Sequence, residues 1–180
     1  MATPESIREL LDKMAAERDA LLREAEALPD EAAGRTQPDA AGEAQWSAKE
    51  QLAHLAEMET TYRVWVERAL VEDGADVRDV RGARPGIGLS EAQRHSVAAL
   101  AGQLRQERET TLELIRSMTP EQFEHTASQP MFGRLTVMQW LRSYYRHDRM
   151  HRDQIAGREP EYKPKFAGGK EPDQRRGTRI

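Results

Sequence analysis

The chain has 180 residues, no cysteine, 38% hydrophobic and 32% charged residues, and a formal net charge of -4 with a pI near 5.8. That length suits one domain with a real core, and the lack of cysteine excludes disulfides, thiolate metal sites and a cysteine nucleophile. The acidic balance argues against a general nucleic-acid binder. No apolar run reaches membrane-span length, and the start lacks a signal-peptide core, so a cytoplasmic protein is expected.

Four segments carry helical periodicity. The first opens at Thr3-Pro4, with Thr3 as cap and Pro4 in the first turn, where a missing N–H costs nothing. Ile7, Leu10, Leu11, Met14, Leu21, Leu22 and Leu28 then recur along one side. Residues 29–45, rich in Ala, Gly, Asp and Pro, read as a long connection. Ser47-Ala48-Lys49-Glu50 is a capping-box pattern that opens the second helix, which runs to about Val71 with Leu52, Leu55, Met58, Trp65 and Leu70 on its apolar side. Residues 72–89 hold four glycines and a proline and read as a loop.

Ser90 to Gln93 repeats the capping logic for a third helix, whose Val97, Leu100, Leu104, Thr111, Ile115 and Met118 share a face. Thr119-Pro120-Glu121 starts a short turn, Gly133 interrupts the chain, and Thr136 with Gln139 opens the fourth helix, ending near Gly157. Strand signals are scarce. The expected fold is all-α: a single-domain four-helix bundle over residues 1–157, with long loops and a polar C-terminal tail over 158–180.

The chemistry concentrates on three histidines. His147 and His151 stand four apart in YYRHDRMHRDQI, and His54 lies far upstream in KEQLAHLAEME. An i,i+4 pair projects from one helix face and, with a third imidazole from a facing helix, makes a site for a divalent metal with positions left open. The bland alternative is a solvated surface pair. The stripe Trp140, Tyr144, His147, His151, Ile155 and the line Gln51, His54, Met58, Thr61, Trp65 favour interior imidazoles, each needing a partner. His95, in a polar first helical turn, and His125, in the EHTASQ loop, read as surface residues.

Glu50 and Glu57 flank His54 at one-turn spacings, as orienting group or proton acceptor, and Glu57 is the candidate general base. Gln154 lies one turn beyond His151 and is a candidate to fix an imidazole. Met58, Trp65, Trp140 and Tyr144 are the candidate walls of a substrate pocket; Arg142 and Arg146 could meet an anionic cosubstrate, although this spacing turns them toward solvent. No fourth strong ligand is evident in the sequence.

The ordered set WSAKEQLAHLAEME, then FGRLTVMQWLRSYYRHDRMHRDQI, resembles the DinB/YfiT superfamily of metal-dependent enzymes, from the first helix to Gly157. The resemblance implies a four-helix bundle with His54, His147 and His151 as ligands of a divalent metal, often zinc or nickel, and frequent homodimers. It also implies chemistry on a small molecule, with thiol-dependent transferases and isomerases using low-molecular-weight thiols such as bacillithiol or mycothiol among the relatives. A metal held by neutral imidazoles would acidify a water or a thiol, so thiol transfer and hydrolysis both remain open. A non-catalytic stress-response module that binds a small molecule, and an interaction protein without metal, are the other readings.

Overall fold

A computed structural model describes residues 1–40 and 42–166. Helix α1 spans Pro4–Glu26 and begins at a Thr3/Ser6 capping box with Pro4 at its first position. A single turn, α2 at Asp30–Ala33, and a 3₁₀ turn at Gly42–Gln45 occupy the connection that follows. Helix α3 is Ala48–Val71, opened by the Ser47/Glu50 capping box. Helices α4, at Val97–Ser117, and α5, at Val137–Ile155, complete the bundle. Helix α1 packs along α5 and α4, and α3 packs on the same two, so α1 and α3 lie diagonally across the bundle.

Two expectations are corrected at the third long helix. Ser90 to Gln93 lie in a 3₁₀ segment, Leu89–Arg94, and Ser96 is the true cap of α4, its Oγ accepting from the Ala99 N–H at 3.2 Å. His95 therefore ends the 3₁₀ segment rather than sitting in the helix. Asp30 adds a second acceptor at this helix start, taking the Val97 N–H at 2.8 Å.

The sequence shows little strand signal, yet three short strands are present: β1 at Ala75–Asp76, β2 at Thr126–Gln129 and β3 at Gly133–Thr136. Strand β2 lies between a parallel β1 and an antiparallel β3, with Ala127 opposite both Ala75 and Leu135. Each is two to four residues long, and the inward positions of β2 are only Ala127 and Gln129. That is too small an apolar alternation to read as a strand. The β2–β3 hairpin hands the chain to α5 at Thr136, whose side chain caps that helix.

The loop over residues 72–89 is pinned to α3 and contributes nothing to the cavity described below. Trp65 Nε1 donates to the Val80 carbonyl at 3.0 Å. Gly82 crosses the α3 backbone so closely that a Cβ there would lie 2.3 Å from the Thr60 carbonyl carbon.

The core divides in two. An aromatic half contains Tyr62, Trp65, Phe123, Trp140 and Tyr144, and an aliphatic half contains Leu21, Leu22, Leu52, Leu100 and Leu104. At the level where they meet, each long helix contributes one buried charge: Arg18, Glu59, Arg108 and Asp148. Arg18 Nη2 reaches Glu59 at 2.7 Å and Asp148 at 2.8 Å; Arg108 Nε reaches Glu59 at 2.8 Å and its Nη2 reaches Asp148 at 2.9 Å. Arg18 Nη1 and Arg108 Nη1 donate to the carbonyls of Leu104 and Met14 at 3.0 and 2.6 Å. Two cations and two anions cancel, so a group that would be prohibitive singly is accommodated as a set.

Beyond α5 the chain is described to Phe166. The basic stretch at 175–179 lies outside the described residues.

Candidate metal centre

Helix α5 presents His147 and His151 one turn apart, and α3 presents His54 opposite them. Their Nε2 atoms face one another, at 3.3 Å between His54 and His147 and 3.0 Å between His147 and His151. A fourth group, Glu43 on the 3₁₀ turn Gly42–Gln45, closes the cluster, with its Oε1 3.2 Å from His54 Nε2 and its Oε2 3.7 Å from His147 Nε2 and 3.3 Å from His151 Nε2. Among the described residues these four form a group that can hold a metal ion. Nitrogen and oxygen donors at about 2.0–2.2 Å from one divalent ion stand about 3.0–3.6 Å apart, so the donor spacing fits.

The protonation states fit as well. Burial is the main influence on His151 and lowers its pKa, keeping the ring neutral despite the Glu43 hydrogen bond. For Glu43, burial opposes ionisation but is outweighed by the charge of His54 and the hydrogen bonds of His147 and His151, which hold the carboxyl well below the usual range. A neutral imidazole and an ionised carboxylate are the ligating forms, and burial biases His151 toward the first as its neighbours bias Glu43 toward the second.

One hydrogen-bond chain settles the tautomer of His151. Gln51 Nε2 donates to the Trp46 carbonyl at 3.0 Å, which turns Gln51 Oε1 toward His151 Nδ1 at 2.9 Å. Nδ1 must then carry the proton, leaving the Nε2 lone pair for the cluster. Trp46 also meets the His54 ring edge-on, with centroids 4.9 Å apart.

The cluster lies at the floor of a cavity of about 410 Å³ that Glu43, His54 and His147 help to line. Its walls include Met58, Tyr62, Phe132, Leu135 and Met150, together with Phe166 of the segment after α5. Of the four pocket residues expected from sequence, Met58 lines the cavity. Trp65, Trp140 and Tyr144 do not: they are buried behind the wall in the aromatic core, with Trp65 and Trp140 centroids 5.0 Å apart.

The remaining candidates also lie elsewhere. Glu57 Oε1 accepts from the Leu89 N–H at 2.8 Å, on the side of α3 covered by the 72–89 loop, outside the metal cluster. Glu50 completes the helix cap, taking the Ser47 N–H and hydroxyl at 2.8 Å each. Gln154 makes no hydrogen bond to the three histidines, and its carbonyl accepts from Gln37. His125 is half-buried, its Nδ1 2.9 Å from the Ala69 carbonyl. Sequence reasoning missed Glu43 and Gln51. Gln51 stands three residues before His54 on the inward line already drawn, so its signal was present. Glu43 sits in a Gly- and Ala-rich connection with no periodicity to place it.

A four-helix bundle whose facing helices supply three imidazoles, joined by a loop carboxylate, defines a helical protein with a His/Glu metal-binding cluster. The sequence profile of the DinB superfamily matches residues 13–155, and the chain belongs to that superfamily. Among curated protein sequences, none matches. Among solved structures, the fold is similar to YfiT from Bacillus subtilis, described as a probable metal-dependent hydrolase with an unusual four-helix bundle topology. That match has a TM-score of 0.69 and 15% identity, and covers 87% of each chain. It is also similar to a mutant of the mycothiol-dependent maleylpyruvate isomerase, with a TM-score of 0.60 and 12% identity, covering 83% of this chain and 60% of that one.

Proposed function

We propose that the protein is a metal-dependent enzyme that activates a low-molecular-weight thiol, or water, for attack on a small electrophile. The observation that carries this reading is the position of the cluster: its donor atoms converge at the floor of a cavity that reaches the surface. A divalent ion, zinc or nickel, held by His54, His147 and His151 with Glu43 beside it would supply positive charge to acidify a thiol or water and to polarise a substrate oxygen.

The chain's own residues supply the rest. Gln51 keeps His151 in its ligating tautomer. Met58, Tyr62 and Phe132 exclude water from one side of the cavity and hold an apolar body. Glu43, ionised and lining the same cavity, is the group placed to accept the proton that the nucleophile loses. Because the protein has no cysteine, the sulfur in a thiol transfer comes from the cosubstrate. The thiol dependence of one structural neighbour supports transfer, and the description of the other as a probable hydrolase supports hydrolysis. A homodimer, implied by the family, belongs to the same proposal and is tested by sedimentation.

Glu43 also favours a second reading. Four protein ligands around one ion are the pattern of a structural or sequestering site, whereas catalytic sites keep a position open. Glu43→Gln separates the two. In an enzyme the variant keeps most of its metal and loses turnover, while in a sequestering module the metal itself is lost.

The first test is metal content of untagged protein for the wild type, His54→Ala and His151→Ala. About one metal per chain, lost in both variants, is expected. Thiol consumption with a reactive electrophile and hydrolysis of activated esters are then run side by side. Wild-type protein that cannot be loaded with zinc, nickel or manganese would overturn the enzyme reading.

A further inference from the structure

The segment following α5 lies outside the family-matched region, which ends at residue 155, yet it builds one side of the cavity. Tyr162, Lys163, Lys165 and Phe166 all line it. Phe166 packs on Phe132 with centroids 5.6 Å apart, and an Arg149–Glu161 ion pair ties the segment back to α5. This wall is therefore built from outside the matched residues.

The charge around the cavity is lopsided. The protein as a whole is acidic, at -4, but three cations, Arg146, Lys163 and Lys165, line this cavity. Glu43, already engaged by the histidines, is the one carboxylate among the lining residues. Lys163 shares its charge with Glu159 in an exposed ion pair. Among the described residues no carboxylate pairs with Arg146. Its guanidinium instead lies over the Tyr145 and Tyr162 rings, 5.9 and 5.8 Å from their centroids. A guanidinium carries five N–H donors, so beyond its hydrogen bond to the Tyr162 side chain Arg146 retains donors for a planar acceptor such as a carboxylate or phosphate. The wall behind it is apolar, through Met58, Phe132 and Leu135.

We propose that Arg146, Lys163 and Lys165 form an anion-recognising rim, so that the cavity selects an organic acid with an aromatic or alkyl body over a neutral molecule of the same shape. The acid group, a carboxylate or a phosphate monoester, sits at the rim, and the body points toward His54 and His147. The proposal names the substrate class for the enzyme reading above and rests on the cavity being the substrate site.

The test uses full-length protein and a matched set of probes: 1-naphthaleneacetate, its neutral amide, and 1-naphthyl phosphate, with affinities from calorimetry. Each titration is run on zinc-loaded protein and on protein kept metal-free with a chelator. The acid should bind at least about tenfold more tightly than the amide in both forms. Lys163→Gln/Lys165→Gln should narrow that gap, and adding Arg146→Gln should abolish it, while amide binding and the unfolding midpoint stay unchanged. Tighter binding of either anion supports the rim and identifies its preferred headgroup. Affinity for both anions no greater than for the amide, a preference that survives the triple substitution, or a preference seen only with zinc bound would each overturn it. If the metal-loaded protein is inert in every assay while the acid preference persists without metal, the enzyme reading fails and the rim stands.

Discussion

Arg108→Met tests the buried charge set most severely. Arg108 is 4% exposed and satisfies four acceptors: both Glu59 oxygens at 2.8 and 2.9 Å, Asp148 at 2.9 Å and the Met14 carbonyl at 2.6 Å. Methionine matches its apolar stem but removes the charge, leaving two carboxylates against Arg18 alone. Breaking one partner of a buried ion set costs about 3–5 kcal/mol. The titration of Glu59 points the same way: burial opposes its ionisation, but Arg108 and then Arg18 outweigh it and hold the carboxyl at about 2 rather than 4.5.

The sign follows from the depressed pKa. The Glu59 contribution is fully present above pH 4.5 and is lost as pH falls toward about 2. The assay is urea unfolding with chelator present, at pH 7, 5, 4 and 3, for wild type and variant. The expected gap is about 3–5 kcal/mol at pH 7, equivalent to about 6–20 °C in Tm for a chain of this size, narrowing steadily below pH 4.5. A gap under about 1 kcal/mol at pH 7, or one that stays constant to pH 3, would refute the argument. Replacing all four charges by apolar residues of similar volume should recover most of the loss, because the penalty comes from the unpaired remainder.

Gln51→Leu removes the acceptor of the His151 Nδ1 proton, and zinc affinity measured by chelator competition should fall about 10–100-fold. Glu57→Gln is the matched control: its carboxylate holds the Leu89 N–H, so zinc affinity should not move, and a comparable drop there would contradict the placement of Glu57. Gly82→Ala forces a methyl against the Thr60 backbone, which cannot rotate away, and should cost about 1–3 kcal/mol in urea unfolding. A stability within error of wild type would mean that the 72–89 loop does not cross α3 so tightly.

How much was legible depended on whether a residue's role was local. The capping boxes at Thr136/Gln139 and Ser47/Glu50 are short-range patterns, and α5 and α3 start where those patterns say. Ser90 misled at α4 because Ser96 offers the same chemistry six residues later, and only the packed structure, with Asp30 beside Val97, favours the second. Trp65, Trp140 and Tyr144 share a helical face with the histidines. The sequence could not say that they sit behind the cavity wall, since periodicity gives a direction around a helix but not a depth within the bundle.

Taken alone, the sequence determined the four long helices, the all-α bundle and the i,i+4 histidine pair with His54 on a facing helix. These follow from backbone propensity, capping and the 3.6-residue period, all written within a few turns of chain. Tertiary structure alone decided that Glu43 joins the cluster from a loop, that Gln51 orients His151, and that Arg18, Glu59, Arg108 and Asp148 meet at one level. Those arrangements pair groups from 11 to 130 positions apart. Their energies depend on burial and on complementary charge, which exist only once the helices have packed.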